Sequence, residues 1–425
     1  MMNFRLWNLY KAWRQKIWLR VVAISWLSVL SVVLAQLLAP YVPELVAFKA
    51  GSEAVSQILE ILASSMLAVT TFSLSIAVTG FGTAAATATP RATALLQEDT
   101  TTQNVLATFI GAFLFSLLGL IALNAQLYSP SGKVVLYLFT IAVVLLVVIA
   151  LIRWIGHLMS FGRMDDTLDR VETAARDALA ARMANPYLGG RALTGTLPAD
   201  CIEIPSLATG YIEHVDMAAL QAIAEALEGE IYVVNIPGSF VVERGPIVYL
   251  RAKGLSDEDT LRLQQAFAIG PQRSFDDDPR FGLIVLSEIA SRALSPAVND
   301  PGTAISVLGR LVRILVEWNT RASVEPDYPL VHISPIKPQE AIEDAFRPIA
   351  RDGAAMIEVQ VRLQKALAAL RQSVPEAFKA PCTNVAAYAL SLATGASLPE
   401  TEIALLRDLS QANTSPHTGG ADMSV

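Results

Sequence analysis

The chain has 425 residues, 53% apolar and 17% charged, with a mean hydropathy of +0.45. Soluble globular proteins carry about 25% charged residues, so an ordinary soluble enzyme is excluded, as are disordered, collagen-like and disulfide-scaffold chains. Residues 1–152 hold 8 basic and 5 acidic side chains and residues 153–425 hold 24 and 34, so the first part is net +3 and the second net −10. This divides the chain into a membrane third and a soluble two-thirds.

Four windows carry no charge: 21–43, 61–90, 100–132 and 134–152. A helix rising about 1.5 Å per residue needs about 20 apolar residues to cross a core about 30 Å thick. The windows predict spans at 19–39, 57–80, 105–127 and 134–156. The first reads as an uncleaved signal anchor, because its apolar run exceeds the usual signal core and no Ala-x-Ala site follows. Arg5, Lys11, Arg14, Lys16 and Arg20 precede it without an acid, which predicts a cytoplasmic start. Glu44, Lys49, Glu53 and Lys133 then fall outside, and Arg91, Arg153 and Arg163 inside. Both termini and the soluble region are expected in the cytoplasm. Trp7, Trp13, Trp18, Tyr128, Tyr137 and Trp154 lie near span ends, where amphipathic rings favour the headgroup layer.

The second span is polar for a membrane helix. Ser64, Thr71, Ser75, Gly82 and Thr89 fall near one line at about 100° per residue, with Thr79 also in the span. Two readings stand: close helix packing with hydroxyls bonded to neighbours or their own backbone, or the wall of a pore or hydrated cavity. No ionisable residue lies deep in a span, which argues against a proton relay. Ala107 and Gly111 form a small-xxx-small packing pair in the third span. Pro90 is expected to break the second helix. The loop after it offers Arg91 and Asp99 either as an ion pair or as solvated charges.

Residues 157–190 read as a helix continuing the fourth span, with alternating charges marking a solvated face. Asn185-Pro186 and Gly189-Gly190 end it. Short β-rich runs follow at 201–204, 211–214, 231–235, 240–243 and 247–251, punctuated by Pro237-Gly238 and Arg244-Gly245-Pro246. Asp216 is a candidate N-cap for a helix through Leu227. Ser256 and Asp259 have the capping-box spacing for a helix to about Ala268. Asp278-Pro279 and Asp300-Pro301 predict two further helix starts, since Asp before Pro satisfies a free amide and wastes no donor. Helices are also expected at 338–351, 353–372, 383–393 and 399–410. The domain plan is a membrane domain at 1–156, a helical connector at 157–200, a small α+β module at 201–255, a mainly helical domain at 256–411 and a disordered tail at 412–425.

No catalytic motif emerges. Cys201 and Cys382 are lone and distant, the four histidines lack metal spacing, and phosphate-loop, dinucleotide and nucleophile-elbow motifs are absent. No cofactor or metal is expected, and the acidic soluble region does not favour nucleic acid. One cluster stands out. Arg273, Asp276, Asp278, Arg292, Asn299 and Asp300 would converge if the two Asp-Pro helix starts lay side by side, giving an anion site. The alternative is a buried turn of caps and ion pairs.

Ser-Arg-Ala-Leu-Ser-Pro-Ala-Val-Asn-Asp-Pro-Gly-Thr-Ala at 291–304 is similar to the hallmark of a bacterial predicted-membrane-protein family, Domain of Unknown Function 2254. Arg273 with Asp278-Pro279, and Pro90-Arg91, Asp99 and Leu-Ala-Thr-Phe-Ile at 106–110, resemble its other elements. Ala107 stands where that pattern has glycine and Ser274 where it has threonine. The resemblance covers roughly residues 5–372. It implies a multi-pass bacterial membrane protein and supplies no activity.

The expected architecture is an α-helical membrane domain of four transmembrane helices plus a cytoplasmic α+β domain, in the bacterial inner membrane. Its expected partners are the lipid bilayer and further copies of itself, with any small ligand or ion unidentified. A homo-oligomeric pore or channel-like assembly lined by the second span leads. A non-catalytic scaffold or sensor binding a partner or anion at the Arg/Asp/Asn cluster comes second. An enzyme ranks last, because no nucleophile–base or metal pattern supports one.

Overall fold

The computed structural model describes residues 17–38, 52–97, 99–129, 132–318 and 325–412. Arg5, Lys11, Arg14, Lys16, Trp7, Trp13, Glu44, Lys49 and the expected tail beyond Ala412 lie outside the described residues. The chain divides into two compact units, Met1–Thr167 and Leu168–Val425.

The first unit is helical: α1 (Ile17–Leu38), α2 (Ser52–Thr87), α3 (Pro90–Gln97), α4 (Thr100–Asn124) and α5 (Gly132–Leu158). Three stretches among the described residues are long and apolar enough to cross a membrane: Ala54–Thr87, Thr100–Asn124 and Gly132–Leu158. The apolar part of α1, Val21–Leu37, is shorter, so three of the four expected spans stand on length and composition. Leu59, Leu62, Met66, Phe109, Phe115, Leu136 and Val143 form the unit's core.

Gly111, one of the small pair read in the third span, is where α1 seats on α4. A Cβ at Gly111 would come within 2.5 Å of the Ile24 Cβ. Farther along α1, the buried Ser31 hydroxyl pairs with the Tyr128 hydroxyl at 2.8 Å. Both contacts answer the demand that polar atoms in an apolar medium find partners and that helices without a hydrophobic drive pack closely.

Three local expectations are corrected. Pro90 does not lead into an open loop. Residues 90–97 form α3, with Ala92, Thr93 and Leu96 buried. Pro is tolerated at a helix start because the amide it lacks is unsatisfied there anyway. Thr89 therefore leaves the α2 stripe, and its hydroxyl accepts the Ala92 amide at 3.2 Å. Finally, α5 does not run on through residue 190. It ends at Leu158, and Gly162, at φ +76, turns the chain against Gly80. A Cβ on Gly80 would lie 2.7 Å from the Phe161 ring, so small residues on both sides make this corner.

The second unit begins in α6 (Met164–Ala184). Next come β1 (Arg191–Ala192), β2 (Ile202–Pro205), β3 (Gly210–Val215), α7 (Met217–Ala226), β4 (Glu230–Val233), β5 (Phe240–Val241) and β6 (Pro246–Arg251). The chain then forms α8 (Asp257–Gln265), β7 (Phe267–Gly270), α9 (Phe281–Ala293), α10 (Pro301–Leu315) and β8 (Val331–Ile333), and closes with α11 (Pro338–Asp352), α12 (Ile357–Ser373), α13 (Pro375–Gly395) and α14 (Glu400–Ala412).

Five strands make one sheet in the order β1-β8-β4-β6-β2, and three make a second, β5-β3-β7. β8 runs parallel to both β1 and β4, while the remaining pairs are antiparallel. The apolar members of these strands close on α7, with Ile204, Leu220, Ile231, Val233, Val248 and Leu250 buried. Asp216 caps α7 as its sequence predicts, accepting the Ala219 amide at 2.9 Å. The helix after Ser256 ends earlier than expected, at Gln265, because Phe267–Gly270 pairs with β3.

The charged run on α6 is not simply a solvated face. Arg310 of α10, 8% exposed, reaches Glu172 at 2.7 Å and Asp169 at 2.5 Å, and Arg313 grips Glu172 with two bonds at 2.7 and 2.8 Å. The Arg313 hydrogen bond holds the Glu172 carboxyl below its ordinary range, outweighing the opposing push of burial.

Gly111→Val forces a branched side chain into the Ile24 contact. It is expected to cost about 1–3 kcal/mol, as overpacking does, and to lower the thermal midpoint of the detergent-solubilised protein. An unchanged midpoint rejects the seating of α1 on α4.

Candidate functional site

On α2 the stripe lies along the exposed side. Ser64, Thr71, Ser75, Thr79 and Gly82 are exposed, while Leu59, Leu62, Met66, Ser73, Ala77 and Ala84 face inward. Three of its hydroxyls bond back to their own helix. Ser64 donates to the Glu60 carbonyl at 2.9 Å, Thr71 to that of Ala68 at 2.9 Å and Thr79 to that of Ser75 at 2.9 Å. A Cβ at Gly82 would meet nothing within 4 Å.

Asp99 is the N-cap of α4. It is 7% exposed, and its Oδ2 accepts the Thr102 amide at 2.7 Å and lies 3.0 Å from His157 Nε2. His157 also meets the Thr102 hydroxyl at 3.2 Å and packs between Trp154 and Phe161. An acid at a helix N-terminus is favoured by the free amides and the dipole. Arg91 is exposed at the start of α3.

In the second unit the structure unites some of the expected cluster and separates the rest. Asp278 is 3% exposed. Its Oδ2 accepts from Arg273 Nε at 2.6 Å and its Oδ1 from the Arg280 amide at 3.1 Å. Gly238, at φ +92, brings its α-carbon so close that a Cβ there would overlap the Asp278 carboxylate. Arg273 lies over the Phe281 ring, 5.7 Å from its centroid. Asp276 accepts from the Ser274 hydroxyl at 2.9 Å.

Asp300 sits elsewhere. Its amide donates to the Ala293 carbonyl at 2.8 Å, at the C-terminal end of α9. The 13-residue α9 separates it from the Asp278 end by about 20 Å, at about 1.5 Å per residue. The two Asp-Pro helix starts therefore do not lie side by side. Consecutive helices joined by a short turn put the start of the second beside the end of the first. Nor does Pro279 open α9, which begins at Phe281 with Arg280 at the N-cap position. Asp300 does cap α10, accepting the Thr303 amide at 3.0 Å and the Thr303 hydroxyl at 2.6 Å. Asn299, at φ +53, takes the left-handed conformation that asparagine tolerates. Arg292 is exposed near the end of α9.

Three partners of the Asp278 region have no motif in the sequence. Arg182 of α6 is 3% exposed. Its Nη2 donates to the Asp277 carbonyl at 3.0 Å, and its Nη1 has no hydrogen-bond partner. Burial pushes its pKa down to about 10 against the opposing pull of Asp277 and Asp278. The Asp277 carboxylate meets His214 Nδ1 at 2.5 Å. Arg280 reaches across to α11, to Asp344 at 2.7 Å and to Glu340. Burial disfavours its charge, yet these two acids hold its pKa up. Burial raises the Asp344 carboxyl in turn, outweighing Arg280. No group of three or more metal-ligating side chains forms among the described residues.

Asp278→Asn leaves Arg273 and Arg182 near a neutral amide. A broken buried pair costs about 3–5 kcal/mol, and chemical denaturation is expected to show that loss. Asp300→Ala removes only a cap and is expected to cost about 1 kcal/mol. The Thr303 hydroxyl, then its amide, lower the Asp300 pKa. The cap's contribution is thus complete above the unfolded carboxyl's pKa and fades as pH falls through the folded value. Equal losses from the two substitutions at neutral pH contradict this assignment.

A family profile described as predicted membrane protein (DUF2254) matches residues 14–369. An uncharacterised protein of Mycobacterium bovis is 28% identical over 225 residues, covering 50% of this chain and 43% of the relative. An uncharacterised protein of Mycobacterium tuberculosis matches with the same identity and coverage. The chain thus aligns with less than half the length of these curated relatives. No solved structure matches it. With the spans and the 291–304 segment in place, the chain belongs to the DUF2254 family of predicted membrane proteins.

Proposed function

We propose that the protein is a homo-oligomeric, channel-like assembly of the bacterial inner membrane, its subunits meeting through α2 with the Ser/Thr/Gly stripe toward the shared axis. In this reading α1 also crosses the membrane, as the first of four spans, both termini are cytoplasmic, and the Leu168–Val425 unit regulates the assembly from the cytoplasm. The observation that carries it is the placement of Ser64, Thr71, Ser75, Thr79 and Gly82 on the side of α2 turned away from its own unit's core. Back-bonded hydroxyls suit a water-lined or helix-lined surface equally, and Gly82 leaves room for a close neighbour.

A second reading is a membrane-tethered sensor that takes an anion at the Arg273/Asp278 cluster. It is favoured by the spare donor of the buried Arg182.

Reconstitution separates them. With Cys201 and Cys382 replaced by serine, Ser75→Cys is expected to cross-link between copies, and Thr71→Trp to reduce ion flux through vesicles. Cross-linking with no flux from the unsubstituted protein keeps the oligomer and rejects the channel. A thermal shift with inorganic phosphate that disappears in Arg182→Gln, without flux, selects the sensor.

A further inference from the structure

The last turns of α5 carry a positive charge on their outward face. Val147, Ala150 and Trp154 are buried against the unit, whereas Ile149, Ile152, Ile155 and the following Met159 are each more than half exposed. Arg153 is exposed on the same side as these apolar residues. It forms no hydrogen bond or ion pair among the described residues. Gly132–Leu158 is long and apolar enough to cross a membrane, so this outward face is set against lipid. Arg153 lies five residues before the end of α5 at Leu158, about 7.5 Å at about 1.5 Å per residue. A charge left among acyl chains is costly, by about 3 kcal/mol at the centre of a span. Arginine escapes that cost by extending its head to the headgroup layer while its stem stays in the apolar region.

The direction of that reach matters. Helical side chains lean toward the helix N-terminus, which for Arg153 is toward the middle of the span. To reach the nearer surface, its guanidinium has to fold back over the next turn. Gly156 stands there, three residues on, and a Cβ at that position would meet nothing within 4 Å. A path to the headgroups is therefore open beside the one outward-facing charge of this segment.

We propose that Arg153, with the gap at Gly156, binds the phosphodiester of an anionic phospholipid. The planar guanidinium matches two phosphate oxygens, and the exposed isoleucines and Met159 lie along the acyl chains. A zwitterionic lipid brings its own cation to its phosphate, whereas an anionic lipid leaves that place to the arginine. The site rests on α5 crossing the membrane and is independent of whether subunits meet through α2.

Native mass spectrometry of the detergent-solubilised full chain tests it, with phosphatidylglycerol as the ligand and phosphatidylcholine and inorganic phosphate as opposing probes. Saturable phosphatidylglycerol binding is expected, tighter than that of phosphatidylcholine and not displaced by phosphate. Arg153→Gln should weaken it about tenfold, a loss of about 1.4 kcal/mol. Gly156→Leu should weaken it as well although the arginine remains, an effect that a simple count of charges does not produce. Arg163→Gln removes an exposed arginine beyond the end of α5 and should leave binding unchanged. Arg153 and Gly156 both lie outside the packed core, so the lipid-free thermal midpoints of their variants should match that of the unsubstituted protein. Equal affinity for the two lipids, undiminished binding by Arg153→Gln or Gly156→Leu, an equal loss in Arg163→Gln, or displacement of the lipid by phosphate overturns the proposal.

Discussion

The carboxylate of Asp278 is removed from water, and several elements of the second unit meet around it. Desolvating an ion costs several kcal/mol unless partners replace the lost water. Arg273 supplies one partner and the Arg280 amide another. The turn before β5 can approach only because Gly238 has no side chain. Held by its backbone, Arg280 directs its guanidinium to Asp344 and Glu340 on α11. One buried charge thereby ties a sheet turn, the start of α9 and the face of α11 together. Arg182 adds a positive field at the cost of its own desolvation.

The membrane unit answers a different constraint. Apolar surroundings give helices little reason to associate beyond close fit and satisfied polar atoms. Gly111 supplies the fit for α1, and the Ser31–Tyr128 pair supplies satisfaction near the other end of that helix. The Gly80–Gly162 contact does the same where the chain leaves α5. In each case small side chains, rather than strongly apolar ones, set where elements meet.

Features governed by neighbouring residues were legible in the sequence. The Asp216 and Asp300 caps, the five main strand positions and the long apolar helices follow from local patterns, as did the packing role of Gly111. Features set by distant partners were not. β8 is three residues long and exists because β1 and β4 flank it. β7 overrode a helical reading by pairing with β3. Asp278-Pro279 and Asp300-Pro301 look alike in sequence, yet one is a buried ion-pair centre and the other a surface cap. Arg182 reads as one more charge on an amphipathic helix. The acids of α6 meet arginines 138 to 141 positions later, and no spacing rule spans that separation.

The back-bonded hydroxyls of α2 bear on how any neighbour comes and goes. Ser64, Thr71 and Thr79 each spend their proton on their own helix. A partner that withdraws from this face therefore strands no donor, whereas a face of asparagine or glutamine side chains would be left with broken cross-helix bonds. On the proposed assembly, contact along α2 would therefore break without leaving an unpaired donor at these three positions, which favours exchange over permanence.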